Sequence, residues 1–157
     1  MHAEANVVTV LRACEGTLWT PRGPASLPAI GAAEKALGTR FPAEYQTLLL
    51  YSNGGALKAA QARVLFFSIE ELPEFNVHRV WSPHLPGMVV FGDDFGDYIY
   101  YFDPENRLHR GDWAIYLVEK GGARFDYSKY AASSLDELCR RVIDGVALVD
   151  EPYLRRP

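Results

Sequence analysis

Cysteine is scarce in this sequence, because Cys14 and Cys139 are the only two among 157 residues. A small secreted domain that relies on disulfides carries several conserved cysteine pairs, and this chain does not have that pattern. We therefore expect two free, buried thiols, with a disulfide between them as the alternative. Neither cysteine stands in a motif of a catalytic nucleophile.

Positive charge and long apolar runs are also in short supply. The chain has 16 Lys and Arg against 20 Asp and Glu, which gives a net charge of −4. Nucleic-acid binding needs a basic patch that neutralises phosphates, so we expect no nucleic-acid partner. No apolar run approaches the length of a membrane span, which predicts no membrane association. Residues 1–4 lack the basic and apolar regions of a secretory signal, which favours a cytoplasmic protein.

Motifs for metals and cofactors are missing as well. His78 and His84 share a segment but lack the spacing of a zinc site, and no cysteine lies near them. Gly92 and Gly96 do not form a phosphate loop, since no Lys-Ser or Lys-Thr pair follows them. The sequence therefore predicts no metal, no cofactor and no catalytic residue, and we expect a protein that is not an enzyme.

Hydrophobic residues, by contrast, make up 48% of the chain, and residues 88–103 are the segment around which we organise the fold. Its two ends are β-branched and aromatic, as in β-strands, while its centre carries glycines and aspartates, which form turns. This pattern predicts a central hairpin whose turn places Asp93, Asp94 and Asp97 together at the rim of the sheet.

The three aspartates of this turn allow three interpretations. The first is a calcium site with Asp103 as a fourth ligand, although the alternating ligands of calcium loops are missing. The second is a structural turn whose carboxylates bond nearby amides. The third is a protein-recognition surface, in which Asp97 holds the turn while Asp93 and Asp94 face a partner.

Two helices are predicted before this hairpin. Ser26 is a suitable N-cap for a helix over about residues 28–37. A second helix is predicted over about residues 42–52, with an apolar stripe facing the core and with Glu44 and Gln46 facing water.

The other elements complete the fold class. Residues 64–67 and 113–118 are predicted strands, whereas 16–28 and 73–86 are predicted loops. Two helices, a run of antiparallel hairpins and a final serine-capped helix predict an α+β fold. We find no repeat or linker, so we expect a single domain over residues 1–157.

A set of short motifs follows a defined order along the sequence. They are Ile30, Glu34, Leu37-Gly38, Phe41-Pro42-Ala43-Glu44-Tyr45, Leu48-Leu49, Ser52-Asn53-Gly54-Gly55, Pro86-Gly87-Met88-Val89-Val90-Phe91-Gly92 and Gly96-Asp97-Tyr98. In this order and spacing they resemble the SMI1/KNR4, or SUKH, superfamily, in which Phe41 would replace a usual leucine. The resemblance covers about residues 28–145 and leaves residues 1–25 as an N-terminal extension.

The resemblance implies a mostly antiparallel sheet with helices packed on one side, and it implies a protein-binding module. Bacterial members of the superfamily are mostly immunity proteins, which neutralise toxins of polymorphic or contact-dependent systems by direct binding. We therefore expect a cognate toxin, or another protein with a basic surface, as the partner. The residues that we expect on or near the contact surface are Asp93, Asp94, Asp97, Glu70, Glu71, Glu74 and Trp81.

Two other functions stay open from the sequence. One is a regulatory scaffold of the kind that the fungal members of the superfamily represent. The other is a small hydrolase with an acidic site at the rim, because the glutamates and aspartates could supply an acid and a base. Nothing in the sequence indicates that one of these carboxylates is buried enough to change its pKa.

Overall fold

The computed structural model describes residues 3–77 and 82–154 of the chain. The helices within them are α1 (Ala3–Ala13), α2 (Leu27–Leu37), α3 (Ala43–Tyr51), α4 (Leu72–Val77) and α5 (Leu135–Ile143). The strands are β1 (Trp19–Pro21), β2 (Gly55–Lys58), β3 (Arg63–Phe66), β4 (Val89–Asp93), β5 (Tyr98–Asp103), β6 (Ala114–Glu119) and β7 (Lys129–Ala132).

The seven strands of the described residues form one antiparallel sheet whose spatial order follows the sequence from β1 to β7. Helix α1 packs on both α3 and α5. Tyr45 of α3 lies against the sheet, with its ring centroid 6.3 Å from that of Phe91 and 5.0 Å from that of Phe102. The predicted α+β fold with a mostly antiparallel sheet is therefore confirmed.

The predicted central hairpin is present as β4 and β5, and both of its faces are buried. Phe102 faces α3, while the ring of Tyr101 lies on the other face and stacks on Tyr116 at 5.5 Å. The Tyr101 hydroxyl donates a hydrogen bond to Ser128 Oγ at 2.6 Å, so the segment between β6 and β7 reaches this second face. A hairpin covered on both faces holds its turn in a fixed position.

The N-terminal region contributes to the same core. Val7 and Leu11 of α1 are fully buried. The predicted loop over 16–28 is wrong in part, because it contains β1, whose Trp19 is also fully buried. The indole Nε1 of Trp19 donates a hydrogen bond to Tyr51 Oη at 2.9 Å. This strand is short and stands among glycine and proline, so its sequence has no strand pattern.

Gly55 shows why two glycines follow Asn53 at the start of β2. Its φ of 137° is rarely adopted by residues with a side chain. A Cβ added to Gly55 would lie 2.4 Å from the ring of Trp19. Any larger residue here would displace the buried indole.

Glu44 and Gln46 do not both face water, so that expectation is wrong. The Glu44 carboxylate accepts hydrogen bonds from the backbone amides of Leu135 at 2.7 Å and Asp136 at 3.0 Å. These amides open α5 and have no partner within their own helix, so an anionic acceptor stabilises them. Gln46 donates to Glu34 Oε2 at 3.0 Å. Both side chains therefore connect α3 to other elements of the fold instead of facing water.

The predicted loop over 73–86 is wrong at its beginning, because α4 occupies it. Asn76 of α4 accepts a hydrogen bond from the Val90 amide at 2.7 Å and donates one to the Val90 carbonyl at 2.9 Å. The register of β3 with β4 ends at the Phe66–Gly92 pair. Asn76 therefore satisfies the backbone of β4 beyond the end of β3 and attaches α4 to the sheet.

Both cysteines are free thiols, as predicted. Cys139 is fully buried, and Cys14 is only partly buried. Burial raises the pKa of both thiols above the ordinary value. Both therefore stay protonated at neutral pH, which favours a packing role over a reactive one.

Candidate functional site

The turn between β4 and β5 is fixed by two of its three aspartates. Asp93 Oδ1 accepts the amide of Phe95 at 3.0 Å. Asp94 Oδ1 accepts the amides of Gly96 at 2.9 Å and Tyr98 at 3.1 Å. Short carboxylates often bond an amide two residues further along the chain, which is the geometry of both. The prediction of a structural turn is therefore confirmed.

One of the three interpretations is wrong in the roles that it gives to these aspartates. In that interpretation Asp97 holds the turn while Asp93 and Asp94 face a partner. Asp97 is instead exposed, and only its backbone carbonyl is engaged, as the acceptor of the Lys120 amide at 2.7 Å. The physical reason is position, because the amide two residues after Asp97 belongs to Ile99, which already lies in the sheet.

Phe95 at the tip of this turn is a candidate that the sequence reasoning missed. Its φ of 66° is left-handed, and its side chain is 39% exposed. This conformation costs a residue with a side chain roughly 1–2 kcal/mol, and glycine or asparagine is the usual choice. The ammonium of Lys58 lies 4.5 Å from the centre of the Phe95 ring. The available signal was an aromatic residue between the two aspartates and a glycine.

Cations lie among the carboxylates at this end of the sheet. Lys120 Nζ is 3.4 Å from Asp93 Oδ2, and Lys58 covers Phe95. The carboxylate of Asp93 is thus partly neutralised, while Asp97 stays exposed. The turn consequently presents an aromatic ring with an alternating pattern of charge instead of a purely acidic patch.

Glu70, Glu71 and Glu74 lie beyond the end of β3 that is opposite to the acidic turn. Because β3 and β4 are antiparallel, with Leu65 opposite Asp93, the turn after Asp93 lies towards the start of β3, whereas the glutamates follow its end. Glu70 Oε1 accepts a hydrogen bond from Asn53 Nδ2 at 2.9 Å. Glu71 accepts the Ser68 amide at 2.9 Å and pairs with an arginine.

Of the other predicted contact residues, Glu74 is exposed on α4, and Trp81 lies outside the described residues. The structure thus brings Asp93, Asp94 and Asp97 together but separates them from the glutamates. In the part of the chain that the structure describes, no three His, Cys, Asp or Glu side chains come close enough to hold a metal ion. No helix in this part is long and apolar enough to cross a membrane.

Comparison with known families places the turn within a recognised region. The family model of SMI1/KNR4 (SUKH-1) matches residues 24–141. The match begins shortly before α2 and ends inside α5, so it includes the central hairpin and the acidic turn. Helix α1 and the C-terminal residues lie outside it. No curated protein matches the chain.

Proposed function

We propose that this chain, which belongs to the SMI1/KNR4 family (SUKH-1), is a protein-binding module that acts as an immunity protein. Bacterial members of the family mostly neutralise toxins by direct binding. The proposed partner is therefore a cognate toxin, or another protein with a basic surface. The proposed role is non-catalytic and cytoplasmic, in a chain that acts as a single domain because α1 shares its core with α3 and α5.

The conformation of Phe95 is the observation that carries this proposal. The chain holds an exposed aromatic ring in a left-handed backbone conformation through hydrogen bonds that Asp93 accepts from the Phe95 amide and Asp94 accepts from the Gly96 amide. Strain of this kind is costly unless the surrounding structure imposes it, and it is concentrated at functional positions. Exposed aromatic rings on rigid supports are the common anchors of protein interfaces. Phe95 is therefore the proposed centre of the contact surface, with Asp97 beside it.

Charge supports the choice of a basic partner. The chain carries a net charge of −4, and complementary charge speeds association and selects among partners. Carboxylates that hold backbone amides shape the surface and its electrostatic field, and the exposed carboxylate of Asp97 lies where a partner can contact it. The residues that we propose for the contact surface, in addition to Phe95, are Asp93, Asp94, Asp97, Glu70, Glu71, Glu74 and Trp81.

Co-expression tests the immunity role. The product of the gene adjacent to this one is expressed in bacteria with and without this protein, and growth is measured. We expect the product of the adjacent gene to be toxic when it is expressed alone and harmless when it is expressed with the wild type. Protection should be reduced with Phe95→Asn, because asparagine tolerates the left-handed conformation but lacks the ring. A harmless neighbour, or a toxic neighbour that this protein neither captures nor neutralises, refutes the proposal.

The competing hydrolase hypothesis has a separate test. The wild-type protein and an Asp93→Asn, Asp97→Asn double variant are compared on a panel of hydrolase substrates. We expect no turnover by either protein. Turnover by the wild type that the double variant loses would establish a catalytic site at the rim and replace the binding proposal.

A further inference from the structure

A small pocket rimmed by tyrosines lies next to the acidic turn. It has a volume of about 180 Å³, and its lining includes Tyr98, Glu119, Tyr127 and Tyr153. Tyr98 is the first residue after the turn, and its amide is bound by Asp94. We call these four residues the tyrosine pocket. The volume corresponds to roughly six water molecules, which is room for the end of one side chain. Drug-sized ligands and cofactors need about 300 Å³ or more.

Aromatic rings and carboxylates are the chemistry that this pocket offers. The rings of Tyr127 and Tyr153 meet edge to face at 5.9 Å, and 39% and 47% of these residues is exposed. The hydroxyl of Tyr98 donates a hydrogen bond to Glu119 Oε1 at 3.4 Å. The face of an aromatic ring attracts cations, and a nearby carboxylate adds to that attraction.

Carboxylates act on the hydroxyl of Tyr98. Burial raises the pKa of its hydroxyl, and the carboxylates of Glu119 and Asp94 raise it further. Asp97, which is exposed, precedes Tyr98 directly. The carboxylates of Glu119 and Asp94 disfavour a phenolate, and for the same reason they favour an entering cation.

The chain itself already places two cations against these rings, since the guanidinium of Arg124 lies 5.5 Å from the centre of the Tyr127 ring. The ammonium of Lys129 lies 5.8 Å from the centre of the Tyr98 ring and 5.1 Å from that of the Tyr153 ring. Lys129 is buried, and its ammonium donates to the carbonyl of Val149. The rings of Tyr98 and Tyr153 therefore already contact an ammonium group within the fold. Lys129 and Arg124 also repel a further cation, and the carboxylates of Glu119 and of the turn act against that repulsion.

We propose that the tyrosine pocket receives a single basic side chain, an arginine or a lysine, of the protein partner. That this side chain comes from a protein partner rests on the proposed function. The preference of the pocket for a cation is independent of the proposed function, so small molecules can test that preference. The acidic turn and the pocket would then form one contact surface, with Phe95 as the apolar anchor and the pocket as the site for charge.

The first experiment is an NMR titration of the isotope-labelled protein. The probes are N-acetyl-arginine amide, the neutral N-acetyl-norleucine amide and the anionic N-acetyl-glutamate amide, at matched ionic strength. We expect saturable shifts of the Glu119 and Tyr153 amides, and of the amide of Gly122, which also lines the pocket, with the arginine probe, and none with the other two probes. Shifts that do not saturate, or equal shifts with the anionic probe, overturn the proposal.

Variants make the assignment specific. Tyr127→Ala removes a ring and Glu119→Gln removes a charge, and each is expected to lower the affinity for the arginine probe about two- to fivefold. Tyr127→Phe should bind the probe as the wild type does. Lys129→Met removes the competing ammonium and should tighten binding of the probe. Weaker binding of the probe by a folded Lys129→Met would overturn the proposal, because it would show that the ammonium of Lys129 does not compete for these rings. Asp112→Asn changes an exposed carboxylate outside the proposed contact surface and should leave the titration unchanged.

The partner experiment separates this inference from the proposed function. If the arginine probe binds and the product of the adjacent gene is not captured, the immunity role fails while the cation preference stands. If that product is captured and Tyr127→Ala and Glu119→Gln keep full affinity for it, the immunity role stands and the pocket is no part of the interface.

Discussion

Asp94→Ala should loosen the acidic turn and lower the stability of the whole fold. One oxygen of Asp94 accepts two backbone amides, those of Gly96 at 2.9 Å and Tyr98 at 3.1 Å. A hydrogen bond of this type contributes about 0.5–1.5 kcal/mol net, so the loss of both should cost about 1–3 kcal/mol. Asp94→Asn keeps an oxygen in the same place and should cost less. Asp97→Ala removes an exposed carboxylate and should change the free energy of unfolding by about 0.5 kcal/mol or less.

Urea unfolding at neutral pH measures this difference, provided that the slope of the transition is the same for all variants. Hydrogen exchange gives a local readout, because the Gly96 and Tyr98 amides should exchange faster in Asp94→Ala than in Asp94→Asn. Equal destabilisation by Asp97→Ala and Asp94→Ala would show that our assignment of the turn-holding carboxylates is wrong.

Three further predictions concern the packing around the site. Glu44→Ala should lower the free energy of unfolding by about 1–3 kcal/mol in urea and speed exchange of the first amides of α5, because two amides lose their acceptor; unchanged exchange would refute the capping role. Tyr45→Phe should preserve or raise the melting temperature, since the buried Tyr45 hydroxyl has no hydrogen-bond partner in the described structure, whereas Tyr101→Phe loses a bond and should lower it; the reverse order would contradict both assignments. Asn76→Ala should cost about 1–3 kcal/mol in urea, and a neutral effect would show that water replaces the amide at β4.

The local parts of the fold could be predicted from the sequence. The strands of the central hairpin carry β-branched and aromatic residues, and the N-cap at Ser26 accepts the Ala29 amide as the pattern predicts. The errors concern contacts between residues that are far apart in the chain. Glu44 meets the start of α5 across 91 residues, and no local pattern encodes that pairing. Strand β1 is held by its pairing with β2, and its three residues are too short a run to indicate a strand by themselves.

The candidate site shows the same limit at a smaller scale. Composition predicted where the acidic turn lies, but three aspartates in one turn are alike in sequence. Which of them reaches an amide depends on the exact path of the backbone. Phe95 was missed because a left-handed backbone is expected of glycine and asparagine, not phenylalanine. Its conformation could be recognised only once the hydrogen bonds that Asp93 and Asp94 accept from the amides of the turn were known.

At Phe95 we expect a trade-off between stability and binding. Phe95→Asn removes a left-handed phenylalanine, so it should leave stability unchanged or increase it by up to about 1 kcal/mol. Residues that cost stability and are improved by substitution are typical of functional positions. This property makes Phe95→Asn a suitable variant for binding studies, since a loss of binding cannot then be attributed to unfolding.

The central claim is that the acidic turn binds a basic protein through Phe95 and Asp97, and calorimetric affinity for the product of the adjacent gene tests it most directly. Wild type is compared with Phe95→Asn, Asp97→Lys and the matched control Asp112→Lys, an exposed carboxylate beyond the far end of β5. We predict that the first two variants bind about tenfold or more weakly, as expected for interface anchors, and that the control binds as wild type does. Equal affinity of all four proteins, or an equal loss in the control, would contradict the account.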